Sequence, residues 1–226
     1  MKKILVIGLV LISWFSFAQE SETRNLEPFS GVKASKAVSV YLKKGTKESA
    51  RVEVTGIKLS NVITEVSGSY LKVHLRDGNF RGNVNVKVYV TYVKIERLSA
   101  SAAGNIYSQE TIKGDDMEIS AASAGTIEVN VDANTIDISV ASAGDIEIKG
   151  KAKEVNVDAA SAGDIDAYDL DAEKVRVEAS SGGSAKVSVS KDLHANASSA
   201  GSIRYRGNPD RSITDSSSGG SVRKSN

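Results

Sequence analysis

The side chains best suited to chemistry in this 226-residue chain are carboxylates at a fixed spacing. Asp145 and Asp164 lie 19 residues apart, and Glu128, Glu147 and Asp166 follow one another at the same interval. If residues 19 apart become neighbours, these five acids form two columns with like charges roughly 5 Å apart. Such crowding lends itself to calcium, which takes many oxygen ligands. It also suits a glycan-cleaving pair in which one acid has a raised pKa. The plain alternative is a solvated acidic stripe. The glycine–aspartate nonapeptide of calcium-binding β-rolls is missing. The acidic region has only Tyr107 and Tyr168 as nearby rings and no long loop to wall a groove. The stripe is therefore the leading reading, with calcium at Asp145 and Asp164 as an alternative metal site.

Other reactive types offer less. His74 and His194 are each solitary and lack ligand spacing. Ser188-Val-Ser-Lys191 matches S-x-x-K, a motif that works on a helical turn, whereas this copy lies in a strand pattern. With no cysteine, there is no thiol nucleophile, disulfide or thiolate metal site. No phosphate-binding loop, dinucleotide fingerprint or nucleophile elbow occurs. No catalytic residue and no cofactor is assigned. Tyr41, Tyr70 and Tyr89 fall in the outward phase of N-terminal strand patterns. Exposed rings there offer a platform for sugars or a protein partner, and packing beneath a loop is the plainer explanation.

The carboxylates owe their spacing to a repeat. From residue 98 a small-residue phrase recurs, as in Ser142-Ala-Gly-Asp-Ile146 and Ser161-Ala-Gly-Asp-Ile165. Its marker glycines are Gly104, Gly125, Gly144, Gly163, Gly183, Gly201 and Gly220, with gaps of 21, 19, 19, 20, 18 and 19. Around each marker, apolar residues alternate with polar ones: Ile127 and Val129 follow Gly125, and Met117 and Ile119 precede it. Period 2 means strands, and one unit cannot bury its own apolar face. The reading is all-β, a single-stranded parallel β-helix with rungs of about 19 residues, right-handed by default. Each unit is expected to hold two short strands separated by a turn such as Lys149-Gly150-Lys151. The marker glycines are read as bends that need unusual backbone angles. The serines two residues before them are read as an inward ladder of hydroxyls.

Residues 1–18 read as a signal peptide: Lys2 and Lys3, an apolar run, then Ser16-Phe17-Ala18. No second long apolar stretch follows, so no transmembrane segment is expected after cleavage. Residues 19–97 form a less regular β section, either further rungs or a cap, and 98–226 hold the regular repeats. Net charge is +1, which argues against nucleic acid as a partner. The charge is banded, however: residues 110–173 hold 16 acidic and 4 basic side chains, and 174–226 hold 9 basic and 4 acidic. Such bands favour end-to-end or partner contacts, a homo-oligomer included, with a solvated face as the plainer explanation.

Phe29-Ser-Gly-Val32, the Val38–Lys43 strand with Gly45, the Val84–Val90 strand and the Ser-Ala-Gly-Asp-Ile corners together resemble the head GIN domain family of auto-transporter adhesins. That resemblance spans roughly 29–222. It implies a parallel β-helix, export, and no catalytic residues. The transporter barrel of a true auto-transporter is missing from this chain. The expectation is an exported, non-enzymatic module that binds a glycan or an envelope or surface protein through its lateral faces. Periplasm, outer-membrane surface and medium all fit. The alternative is a polysaccharide-acting enzyme using Asp145, Asp164 and their neighbours.

Overall fold

An apolar alternation that recurs every 19 residues can be buried only by stacking the units. The computed structural model describes residues 20–80 and 82–225, so the expected leader lies outside the described residues. From residue 97 onward every strand pairs in parallel with its counterpart one coil away. The strands are β8 (Arg97–Ser101), β9 (Asn105–Lys113), β10 (Asp116–Ala122), β11 (Thr126–Ala141), β12 (Asp145–Ala159), β13 (Asp164–Ala179), β14 (Ser184–Ala197), β15 (Ser202–Arg206), β16 (Arg211–Ser216) and β17 (Ser221–Lys224). Ile127 lies beside Ile146, Ile146 beside Ile165, and Met117 beside Ile136. These columns are the core; Ile106, Ile127, Ile146 and Ile165 are all at most 1% exposed. The protein is a parallel β-solenoid.

Each coil has a leading face before the Ser-Ala-Gly corner and a trailing face after it. The corner is a β-turn. Gly144 N–H donates to the Ala141 carbonyl at 3.0 Å, and the two central residues, Ser142 and Ala143, have φ of 51° and 57°. Positive φ at both central positions makes it type I′. Two expectations fail here. The marker glycines do not carry the unusual φ; the serine and alanine before them do. Glycine is needed for space: a Cβ on Gly201 would sit 2.2 Å from the Ala179 carbonyl oxygen of the coil beneath. The corner serines are also exposed, because two left-handed residues rotate the chain out of its alternating phase. The vertical ladder is made by backbone instead, Ala143 N–H donating to the Ser161 carbonyl and Ala162 N–H to the Ser181 carbonyl, both at 3.2 Å.

At 114–115 and at 207–210 the second bend interrupts the strands, but in the middle coils it is not a turn. β11 to β14 run through it as strands of 14–16 residues, so Lys149-Gly150-Lys151 lies inside β12. Neighbouring coils bend together, so the ladder pairs residues on both sides, such as Ala133 with Ala152 and Thr135 with Glu154. The alternation slips by one residue to allow it: Val131 and Ala133 are buried, then Ile136 and Ile138.

The N-terminal section is both rungs and cap. β2 (Gly31–Ser35) and β3 (Ser39–Lys44) form a coil directly beneath β8 and β9, with Val32 beside Leu98 and Val40 beside Ile106. A further coil, β6 (Tyr70–Leu75) and β7 (Asn85–Tyr92), lies below that one although it comes later in the chain. The end is closed by antiparallel strands: β4 (Ser49–Thr55) on β7, β1 (Glu20–Asn25) on β4, and β5 (Val62–Ser67) on β6. Arg24 of β1 reaches across to the Val62 carbonyl and Thr64 hydroxyl of β5 at 2.7 and 3.0 Å. At the other end the core gives way to polar residues. Ser212 and Thr214 of β16 register with Leu193 and Ala195 of β14.

The two corner positions should respond oppositely to mutation. Gly201→Ala is expected to lower stability by about 2–3 kcal/mol through overpacking. Ala162→Gly relieves a left-handed alanine of about 1 kcal/mol and raises unfolded-chain entropy by a similar amount. Thermal melts of the two variants should show a clear loss and almost no change, respectively; equal losses contradict this account of the corner.

Candidate functional site

Outward residues of the trailing face form vertical columns, because registered strands place equivalent side chains over one another. Taken from the cap upward, one column reads Arg51, Tyr89, Tyr41, Tyr107, Glu128, Glu147, Asp166, Lys186, Arg204, Arg223. The tyrosines and carboxylates that sequence reasoning treated as separate candidates thus share one stripe. Tyr70 does not join it. It lies on the leading face, with the Lys33 ammonium 4.1 Å and the Arg97 guanidinium 5.1 Å from its ring centroid.

The three tyrosines are half-buried and stacked face to face. Tyr41 lies 5.2 Å from both Tyr89 and Tyr107, with interplanar angles of 22° and 25°. Arg51 covers the lower face of Tyr89 at 4.3 Å. Five of the six ring faces are therefore covered by another ring or a guanidinium, leaving mainly edges and hydroxyls outward. A sugar platform requires an open ring face, and among the described residues only the Tyr107 face toward Glu128 has no ring or guanidinium against it. Burial first, then the charge of Glu128 and the neighbouring Tyr41, raises the Tyr107 pKa above its ordinary value. Its phenol stays protonated and can donate at neutral pH.

Tyr107, Ser108, Gln109, Glu110, Lys43 and Glu128 help line a groove of about 630 Å³ beside the stack. Its wall is a bulge. Between the pairs Glu128–Tyr107 and Asn130–Thr111 the register jumps, and Ser108–Glu110 project from the sheet. Glu110 accepts a hydrogen bond from the Lys44 backbone N–H at 3.2 Å. Neither the bulge nor Tyr107 was assigned a role from sequence. The visible signal was the 21-residue gap from Gly104 to Gly125, two longer than its neighbour. A larger groove of about 850 Å³ follows the second bend over Ala133, Ala152, Ala172 and Val189. It has no aromatic ring, and Lys191 and Glu173 at its rim form an ion pair at 2.7 Å, so the tyrosine groove carries the stronger chemistry.

The acids stack as expected: Asp145 beside Asp164, and Glu128, Glu147 and Asp166 in line. Two of the five are relieved by lysines of this chain, Glu147 by Lys149 at 2.7 Å and Asp166 by Lys186 at 2.8 Å. Among the described residues no three His, Cys, Asp or Glu side chains converge as a metal site. Partial burial first, then the charges of Asp164, Glu147 and Asp166, holds the Asp145 carboxyl above its ordinary pKa. His194 is exposed in β14 beside Arg176, and His74 bonds to the carbonyl of Leu75.

A raised carboxyl pKa means that the folded state binds the proton more tightly than the unfolded state. Its ionised form therefore costs stability, and that cost appears as pH rises through the folded-state value. Asp145→Asn should raise the melting temperature at pH 7, and the gain should vanish below about pH 3.5, where the wild-type carboxyl is protonated in both states. A pH-independent gain, or a loss at pH 7, contradicts the assignment.

No curated protein matches the chain. Among solved structures, a "putative adhesin" from Bacteroides fragilis superposes with a TM-score of 0.83 at 16% identity, covering 93% of this chain and 98% of the other. A "putative lipid binding protein" from Parabacteroides distasonis gives 0.72 at 21% identity, covering 92% and 97%. A "putative adhesin" from the same species gives 0.73 at 18%, again covering 92% and 97%. At such identities these likenesses establish the fold alone. The profile described as "Putative auto-transporter adhesin, head GIN domain" matches residues 28–209. The chain belongs to the head GIN domain family.

Proposed function

We propose that the chain is an exported, non-enzymatic adhesion module of the bacterial envelope, and that it binds a protein partner through the Tyr89–Tyr41–Tyr107 groove. One observation carries the choice of partner. Five of the six ring faces are already covered, so what remains is chiefly a row of phenol edges and hydroxyls, flanked by Lys43, Glu110 and Glu128. Rigid tyrosine edges with hydrogen-bonding tips suit a polypeptide surface. A pyranose ring would need an exposed aromatic face. The adhesin description of the family and the leader-like sequence at 1–18 support an exported role.

The acidic columns fit a solvated stripe better than a binding site. Glu147 and Asp166 are held by lysines of this chain. Residues 20–225, immobilised and challenged with envelope protein extracts and a polysaccharide panel, separate the readings. Retention of a protein species should fall at least tenfold in Tyr107→Arg and less in Tyr107→Phe, with no polysaccharide bound or cleaved. Polysaccharide turnover abolished by Asp145→Asn or Asp164→Asn would instead establish the enzyme.

A further inference from the structure

Above the tyrosines, the trailing face is divided into two blocks of opposite charge. Glu128, Glu147 and Asp166 occupy three successive coils, and Lys186, Arg204 and Arg223 occupy the next three in the same column. Within each block like charges lie side by side across the ladder, an arrangement that destabilises a sheet. Intrachain pairing relieves it only in part. Lys186 holds Asp166 and Lys149 holds Glu147. Among the described residues Glu128, Asp145, Asp164, Arg204 and Arg223 form no ion pair.

We propose that this face docks on a second copy of itself, the two solenoids running antiparallel about a two-fold axis that lies along the strands between the coils of Asp166 and Lys186. The sequence of charges is its own complement under that operation, which is the requirement for an isologous interface. Asp166 faces Lys186 of the second copy, Glu147 faces its Arg204, and Glu128 faces its Arg223. The adjacent column behaves likewise. The unpaired carboxylates of Asp164 and Asp145 come opposite Ser184 and Ser202, whose hydroxyls can donate. The remaining facing cations, Lys149 and Arg206, each already have an acid, Glu147 and Asp169 at 2.7 and 3.0 Å.

The contact is six coils long and five residues wide, about 24 Å by 13 Å, with the 168–170 bulge of β13 close to the axis. At about 300 Å² a side, that falls below the size of stable specific interfaces, and it gives a weak, transient dimer held largely by charge. Tyr89, Tyr41 and Tyr107 fall beyond the last coil of the second copy and stay uncovered at both ends. Glu128, Glu147 and Lys149 belong both to the groove lining and to this contact, so the two surfaces meet at that edge, and a dimer would present two grooves with their rings open.

Sedimentation of residues 20–225 over a concentration series tests it. A monomer–dimer equilibrium is expected at 50 mM NaCl, with the dissociation constant rising at least tenfold at 500 mM. Glu128→Lys/Glu147→Lys and Arg204→Glu/Arg223→Glu should each be monomeric alone and form a heterodimer when mixed, since mixing restores every opposed pair. The rescue also shows that both variants are folded. A wild type that stays monomeric at low salt overturns the proposal, as does a dimer indifferent to salt or a mixture that fails to associate.

Discussion

Successive coils of this solenoid approach one another closely at the Ser-Ala-Gly corner, and the rest of the structure depends on that approach. In six of the seven corners the marker glycine sits so close to a carbonyl of the neighbouring coil that a methyl group there would overlap backbone, and at Gly163 it would meet the Val140 side chain. The same corner turns the chain with two left-handed residues whose N–H and C=O groups bond to the coils above and below. Close approach fixes the height of each step, and the turn fixes the register. With both fixed, isoleucine falls on isoleucine in the core and, on the outside, acid falls on acid and ring on ring. The serine and alanine pairs carry backbone strain of about 1–2 kcal/mol per residue, accepted because the vertical bonds recur at every corner. Gly182 and Gly219 occupy the second strained position in two corners and avoid it there.

Much of the fold was legible because period 2 and period 19 are both visible in the string of residues. The core columns around Ile127, Ile146 and Ile165 need nothing else. What repetition could not show was why a position is invariant. A glycine in every corner is equally consistent with an unusual φ and with a crowded neighbour, and only the packing distinguishes them. Extending the alternation through the corner placed the serines inside, whereas a type I′ turn breaks phase. The N-terminal coils were hidden for a different reason. Gly31 pairs with Arg97 and Ser39 with Lys87, partners related by no repeat, with the chain doubling back beneath its own first coil.

The candidate site was half legible for the same reason. The acidic columns obey the 19-residue interval and could be placed by counting. The tyrosine stack could not, because Tyr41, Tyr89 and Tyr107 come from three segments brought together by the doubled-back coil and by the bulge after Tyr107. Once together, the rings cover most of one another's faces, which leaves a ridge made mainly of edges and hydroxyls. Placing this stripe on a rigid ladder means its chemistry is set by register and not by loop conformation. The charge blocks higher on the face are read from the same register.

Native-state hydrogen exchange tests the central claim most directly. The corner residues Ala124, Ala143, Ala162 and Ala200 have exposed side chains, yet each N–H donates to a carbonyl of the next coil at 3.1–3.2 Å. Surface turns ordinarily exchange fast. If coil-to-coil backbone contact at the corner governs the solenoid, these four amides should exchange nearly as slowly as those of Ile146 and Ile165. Exchange at the rate of the exposed β16 edge contradicts the account.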